Sequence, residues 1–530
     1  MQFFPSTESV LAPWWKLSTR IFDLGNRLVA ALTDPSTRER NARLVLLAYI
    51  AIWTVYAVIQ KSSQDINFDM AEIVIWSREL AAGNPTHPPL ASWIAALWFA
   101  IFPCRDWAYY LLGIVSATSA LWITWIFSKR WLDPEKRVAG LALLALVPFF
   151  NFIAIKYNTN AALIPFWNLT AYSFLVSYST RSPFFAALAG AGAAACMLAK
   201  YWAIFLLAGL SLAAIIDTRR SVYFRSPAPW ITIAAGSLVI APHVAWLFSH
   251  RFSTLAYPMG QHGGLTLAEV AHKVFSYVID LPAFAAAPLL LIFLAARPGL
   301  AAIKDFFWPS DADRRLASLA FWLPITLPIP VVFLLHSDLT AVWAMSAMGL
   351  LPVVFLSSDK IALARNDVVR IVVIAVALPL VALVLAPGVA ISYHLRGNGH
   401  HAGQFHLLAQ AVEKKWHETT DQPLRLLGGA HALADTAAFY LRDRPSTLNI
   451  YLPSRTPWAD EARIKREGIA VFCPSDVPGC MEKLEAFARA APASRRSEFT
   501  LTDRYLGISG ESVAYTFIAI APGMLSTAPF

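Results

Sequence analysis

IVVIAVALPLVALVLAPG, residues 371–388, runs eighteen positions without one charged side chain. An α-helix needs about 20 mostly apolar residues to cross the hydrocarbon core of a bilayer. Only helices and closed barrels can satisfy their backbone groups there. The segment therefore reads as a membrane span, and the alternating pattern of barrel strands is absent. Working outward, further apolar runs lie near 41–60, 107–128, 138–155, 161–178, 184–199, 201–216, 229–247, 273–296, 316–335 and 342–357, which makes eleven spans in all. The whole chain is 57% hydrophobic and 15% charged, whereas a soluble domain carries about 25% charged residues. The expected fold class is an all-α polytopic membrane protein with additional interfacial helices.

Charge orients the spans. Four short basic connectors, SKRWLDPEKR (128–137), DTRRSVYFR (217–225), RPGLAAIKDFFWPSDADRR (297–315) and SSDKIALARNDVVR (357–370), separate them. Basic loops collect on the cytoplasmic side, so all four belong there with the Arg-bearing residues 1–40. They also carry most of the net charge of +9, and nucleic acid is excluded as a partner. Two inside segments must be joined by an even number of crossings. The run PPLASWIAALWFAIFP (88–103) breaks that parity, is short and is bounded by prolines, so it is expected to lie along the interface. No cleavable leader is read in residues 1–40, which mix both charges and lack a short apolar core. Residues 41–388 then form the transmembrane domain. The outer side receives residues 61–106, KYNTN (156–160), the turn at Lys200, RFSTLAYPMGQHGG (251–264), LHSDLT (335–340) and everything after about 389.

Residues 389–530 are different material. LRLLGG, TLNIYL, IAVFCPS and SVAYTFIAIAP read as strands, and HALADTAAFYLRD, WADEARIKREG and MEKLEAFARAA as helices. A small extracytoplasmic α/β domain is expected. Cys473 and Cys480 bracket a Pro- and Gly-containing loop, and both a disulfide and two free thiols fit them. Cys104 and Cys196 read as lone apolar side chains.

Nearly all the unusual polar residues share the outer side, and they are densest in FDMAEIVIWSRELAAGNPTHPPL (68–90). On a helix, Asp69, Glu72, Trp76 and Glu79 form one stripe, with Met70, Ile73, Val74 and Leu80 on another face. The plain reading is a solvated amphipathic helix at the membrane surface. The two prolines after His87 argue for more, because they fix the chain and hold the imidazole beside the acidic stripe.

The stretch DMAEIVIWSRELAAGNPTHPPLASW (69–93) resembles the first extracytoplasmic loop of the bacterial protein-O-mannosyltransferase and aminoarabinose-transferase branch of the GT-C glycosyltransferases. The resemblance continues through KYNTNAALIPFW (156–167), MLAKYWAIFLLAG (197–209) and LTAVWAMSAMGLLP (339–352), and covers roughly residues 40–360. The outer domain is similar only in placement and in the loose pattern PLRLLGG…AAFYLRDRPS. Two positions depart from the pattern: Met70 stands where many relatives carry a second acidic residue, and Asn160 where an Asp is common. Such enzymes, which include rhizobial lipopolysaccharide galacturonosyltransferases, use polyprenyl-phosphate sugars. The resemblance implies an inverting sugar transfer to a lipid or glycan acceptor at the periplasmic face of a bacterial inner membrane.

That chemistry asks for a base near the attacking hydroxyl and for cations, or a divalent metal, beside the departing phosphate. The resemblance makes Asp69 the candidate base, with Glu72 sharing or replacing it. His87 is a candidate hydrogen-bonding group, with a plain turn-capping histidine as the alternative. Lys200 is the candidate phosphate cation, since a bare ammonium at a membrane boundary needs a partner; snorkelling to headgroups is the alternative. Tyr201 beside it, Lys156 and Tyr157, and Asn158 and Asn160 follow as binding candidates. His262 and His336, with Arg251 and Tyr257, complete the set in the outer loops. Trp76, Trp93 and Trp107 are placed to stack on sugar or to sit in an interfacial aromatic belt. His400 and His401 form a lone pair suggestive of a metal ligand, and His243 reads as a satisfied intramembrane histidine. A secondary transporter or lipid flippase, and a carrier-lipid-binding relative without catalysis, are the rival readings.

Overall fold

The structure, a computed structural model, describes residues 7–397 and 404–524. Among the described residues, five helices are long and apolar enough to cross a membrane: Arg38–Gln60, Asp106–Ser128, Ala228–Ser249, Ala312–Leu335 and Arg365–Arg396. Leu267–Phe284 and Ala286–Ala296, bent by 57° at their junction, make a sixth when taken together. Several of the eleven apolar runs are thus not simple spans among the described residues. The run at 138–155 is helical only over Pro134–Ala145, then turns through a 3₁₀ segment at Pro148–Phe150, where proline removes a backbone donor. The run at 342–357 is a 3₁₀ helix over Ala341–Leu350 followed by one short α-helix, Leu351–Leu356. Its residues from Ala344 to Leu356 are buried, and irregular backbone at membrane depth is tolerated where protein rather than lipid surrounds it. Segment 88–103 forms the twelve-residue helix Leu90–Ile101, too short to cross.

The C-terminal region holds a five-stranded sheet of order β2-β1-β3-β5-β4. The strands are β1 (Leu426–Gly429), β2 (Ser446–Asn449), β3 (Ile469–Pro474), β4 (Arg495–Tyr505) and β5 (Ile508–Ile520). β1 pairs in parallel with β2 and β3, so helices His431–Tyr440 and Glu461–Glu467 serve as crossovers. β5 runs antiparallel to β3 and β4. Strand β4 is absent from the sequence reading. Its hydrophobic alternation is interrupted by Arg495, Arg496, Glu498, Asp503 and Arg504, the kind of charge that protects an edge strand from foreign pairing. It joins β5 through Leu506 and Gly507, both at positive φ, the geometry of a tight hairpin. Of the two readings for Cys473 and Cys480, the disulfide is the one present. Cys104 and Cys196 are free.

The sheet domain is tied to the bundle through the loop that opens at residue 61. Helix Phe68–Glu79 carries Arg78 in its last turn, and the guanidinium donates to the carbonyls of Pro445 and Ala438. Glu79 accepts from the Ser446 hydroxyl at 2.5 Å and lies 3.7 Å from the Arg463 guanidinium. The expected single acidic stripe is therefore split, because Glu79 belongs to this docking contact. Leu80, expected on the apolar face with Met70, Ile73 and Val74, ends the helix at φ 47° and is 63% exposed. Arg78→Met keeps the aliphatic stem and strips both carbonyls of their donor. It is expected to destabilise the docked domain by about 2 kcal/mol, the scale of an unsatisfied buried polar group. Thermal unfolding in detergent and faster proteolysis near residue 445 are the readouts.

Candidate functional site

Where the sheet domain meets the bundle lies a cavity of about 850 Å³. One wall is helix Phe68–Glu79. Asn67 starts it by accepting from the Asp69 amide at 3.0 Å, and the helix buries Met70, Val74 and Ile75. That packing turns Asp69, Glu72 and Trp76 toward the cavity. The Asp69 carboxylate lies 2.5 Å from the Lys156 ammonium.

The second wall is the start of helix Thr159–Thr180. The Asn158 side chain caps it, accepting from the amides of Asn160 and Ala161 at 3.0 and 3.1 Å. Asn160 in turn accepts from the Lys200 ammonium at 2.8 Å. Lys200 sits at the break between helices Pro183–Ala199 and Ile204–Ile216, with its ammonium 4.8 Å from the Trp343 ring centre. Asn160 is the position where an Asp is common in the resembled loop. A neutral amide there satisfies a hydrogen bond and leaves the charge of Lys200 unneutralised. Burial pushes this ammonium down to about 7, opposed by the nearby charge of Asp69.

His87 also lines the cavity. Its ring meets Trp76 and Tyr257 edge-on, with centroids 5.8 and 5.9 Å away. Burial first, and then the charge of Lys200, push it down to about 3. It is a neutral hydrogen-bonding group at ordinary pH and not a cation for phosphate. His262 lines the far side, its Nδ1 3.8 Å from Asp338, whose other oxygen lies 3.0 Å from Lys273. Burial pushes His262 down as well. Tyr201 and Tyr257 complete the polar lining that the sequence suggested.

Other candidates stand elsewhere. Tyr157 is fully buried behind the wall, donating to the Ala91 carbonyl at 3.3 Å, and does not line the cavity. His336 is exposed at a helix end, its Nδ1 donating to the Leu265 carbonyl at 2.9 Å, also outside the lining. Arg251 is exposed in the loop, Trp93 donates to the Ala81 carbonyl, and Trp107 faces outward; none of them lines the cavity. His400 and His401 lie outside the described residues. Among the described residues no three His, Cys, Asp or Glu side chains gather to hold a metal ion. Asp69 faces the Lys156 ammonium instead, so the donor set does not fit a metal.

The sequence reading missed Arg455. It reaches the cavity from the sheet domain, its guanidinium 5.2 Å from the Tyr257 ring centre. Trp202 and Trp343 were missed as well.

Residues 86–246 match the family described as dolichyl-phosphate-mannose-protein mannosyltransferase. The crystal structure of ArnT from Cupriavidus metallidurans bound to undecaprenyl phosphate superposes with a TM-score of 0.60, covering 89% of this chain and 97% of that one at 11% identity. This chain has the GT-C fold in its ArnT-like form. Two Rhizobium johnstonii proteins add sequence kinship to the GT-C fold. The lipid A galacturonosyltransferase RgtD is 22% identical over 221 residues, 41% of this chain and 46% of its own length. The lipopolysaccharide core galacturonosyltransferase RgtB is 24% identical over 339 residues, 61% of this chain and 66% of its own. The chain thus matches about half of one relative and just under two thirds of the other.

Proposed function

We propose that this protein transfers a sugar from a polyprenyl-phosphate carrier to a lipid or glycan acceptor, at the periplasmic face of a bacterial inner membrane. The observation that carries this reading is Lys200: a half-buried ammonium, bonded to a neutral amide, in a cavity that also holds an acidic helix. An anion is the partner such a group lacks. Undecaprenyl phosphate, the lipid bound by ArnT, supplies one, and the names of RgtD and RgtB point to galacturonate as the sugar and lipopolysaccharide as the acceptor class.

The chemistry follows from the two charged walls. An acceptor hydroxyl attacks the anomeric carbon as its proton passes to Asp69, which Lys156 orients. The bond from that carbon to the phosphate oxygen breaks, and its electron pair leaves with the phosphate toward Lys200. One direct displacement inverts the anomeric centre and leaves no covalent intermediate. His87, neutral, is suited to hydrogen-bond a sugar or acceptor hydroxyl. The sheet domain roofs the cavity, so Arg455 contacts the sugar or acceptor and not the lipid tail.

Purified protein in lipid nanodiscs, given undecaprenyl-phosphate galacturonate and a lipid A acceptor, is expected to yield acceptor heavier by one uronic acid in mass spectrometry. Solute uptake by proteoliposomes with no glycosyl transfer would overturn the reading in favour of transport. Reporter fusions at the C-terminus test the periplasmic placement.

A further inference from the structure

One polar pair at the cavity is not used by this chemistry. Tyr201 lines the cavity from the turn after Lys200. Its hydroxyl lies 2.8 Å from Nε2 of His243, a residue of helix Ala228–Ser249 that is 1% exposed. The other ring nitrogen, Nδ1, lies 2.7 Å from the carbonyl oxygen of Ala82. Ala82 is held in place: the neighbouring Gly83 packs so closely on the Trp246 ring that a Cβ there would overlap it. Trp246 itself lies parallel to the His243 ring, at 12°.

A carbonyl oxygen only accepts, so Nδ1 must carry the proton that faces Ala82. A cationic ring at this depth needs a carboxylate, and among the described residues none pairs with it. The ring is therefore neutral and Nε2 is bare. A bare nitrogen only accepts, so the Tyr201 hydroxyl must donate to it. Thr254, beside the Tyr201 hydroxyl, gives its own proton to the Asn84 carbonyl at 2.9 Å. What the Tyr201 hydroxyl has left to offer a ligand is lone pairs alone.

We propose that Tyr201 is a one-way hydrogen-bond acceptor, held so by His243 as a positioning residue, and that it binds a hydroxyl group of the sugar. This rests on the transferase reading for the identity of the ligand, though not for the direction of the bond. A phosphodiester has no proton to give, so a committed acceptor repels it and takes a donor instead. Lys200 and Tyr201, adjacent in the chain, thereby distinguish the two ends of one carrier-linked sugar: phosphate at the ammonium, hydroxyl at the phenol oxygen. A donor lying the wrong way round would set oxygen against oxygen.

Two measurements test this. In ligand-free protein labelled with ¹⁵N-histidine, the signal that vanishes in His243→Phe should report a protonated Nδ1 and a bare Nε2; a protonated Nε2 overturns the proposal. In binding assays, Tyr201→Phe should weaken undecaprenyl-phosphate galacturonate about 3- to 10-fold, the scale of one net hydrogen bond. Its affinity for sugar-free undecaprenyl phosphate should stay within twofold of wild type. His243→Phe should show the same split, and His243→Gln, which keeps a donor and an acceptor, should recover most of it. Equal weakening of both lipids, or of neither, overturns the assignment of Tyr201. Wild-type protein that binds neither lipid while showing the bare Nε2 would instead sink the transferase reading, and the sugar assignment with it.

Discussion

Asp69→Asn is expected to lower sugar transfer by about 10²- to 10⁴-fold, the range attached to loss of a positioned general base, while the protein still binds its carrier lipid. The side chains are nearly isosteric, so helix Phe68–Glu79 keeps its Asn67 cap and its buried face. What disappears is the proton acceptor and one negative charge. Two electrostatic consequences for the carrier follow, with opposite signs. Lys156 loses the carboxylate 2.5 Å away and becomes an unpaired cation, which favours an anionic phosphate. Lys200 loses the charge that partly offsets its burial, so it deprotonates at lower pH, which disfavours phosphate. The second effect fades as pH is lowered and Lys200 regains its proton, so at low pH the first effect dominates and affinity for the carrier should be unchanged or higher. Transfer rate and carrier affinity therefore part company in this variant. Full transfer activity in Asp69→Asn would remove Asp69 as the base and bring Glu72, on the same wall, into its place.

The parts of this arrangement legible in the sequence were those set by local physics. Apolar runs and basic connectors bring residues 68–90, 156–160, 200 and 251–264 to one side without any tertiary information. The spacing of Asp69, Glu72 and Trp76 shows that one helical face carries them. The sequence does not show where that face ends. Glu79 continues the stripe by period, yet Ser446 and Arg463 of another domain take it, and no periodicity encodes a partner more than three hundred residues away. Arg455 is hidden for the same reason, since its short 3₁₀ turn carries no motif and only domain docking puts it above Tyr257. Strand β4 is masked by the charges that protect its edge. The 3₁₀ run at Ala341–Leu350 is masked by being apolar, because hydropathy measures burial and cannot distinguish burial in lipid from burial in protein. His243 shows a subtler limit. Its sequence setting marks it correctly as satisfied, but that satisfaction is what commits the proton of Tyr201.

Affinity for the carrier-linked sugar should fall as pH rises through about 7, and Lys200 should be the cause. An ordinary lysine titrates near 10.4, so a phosphate site built on one would hold its charge across the physiological range. Burial of Lys200 brings the loss of charge down to about 7. The sign follows directly: the protonated form binds the anion, and it is the majority form below that value. Raising pH from 6 to 8 leaves about one tenth of the free protein charged, which corresponds to about a tenfold loss of affinity. The loss levels off at higher pH, because a bound phosphate raises the ammonium in the complex. The ligand must be the sugar diester, since a phosphate monoester titrates near 6 by itself and would blur the result. Neighbouring groups do not mimic the effect. His87 titrates near 3, and His262 is also pushed below the ordinary histidine range. Lys200→Arg, whose guanidinium stays charged, should flatten the profile between pH 6 and 8. Lys200→Ala should flatten it too, but at an affinity about 10- to 100-fold lower than wild type at pH 6, the worth of a charged hydrogen bond. The same pH slope surviving in Lys200→Ala would show that Lys200 is not its cause, whereas unchanged affinity at pH 6 in that variant would point to Arg455, a cation of the lining that stays charged.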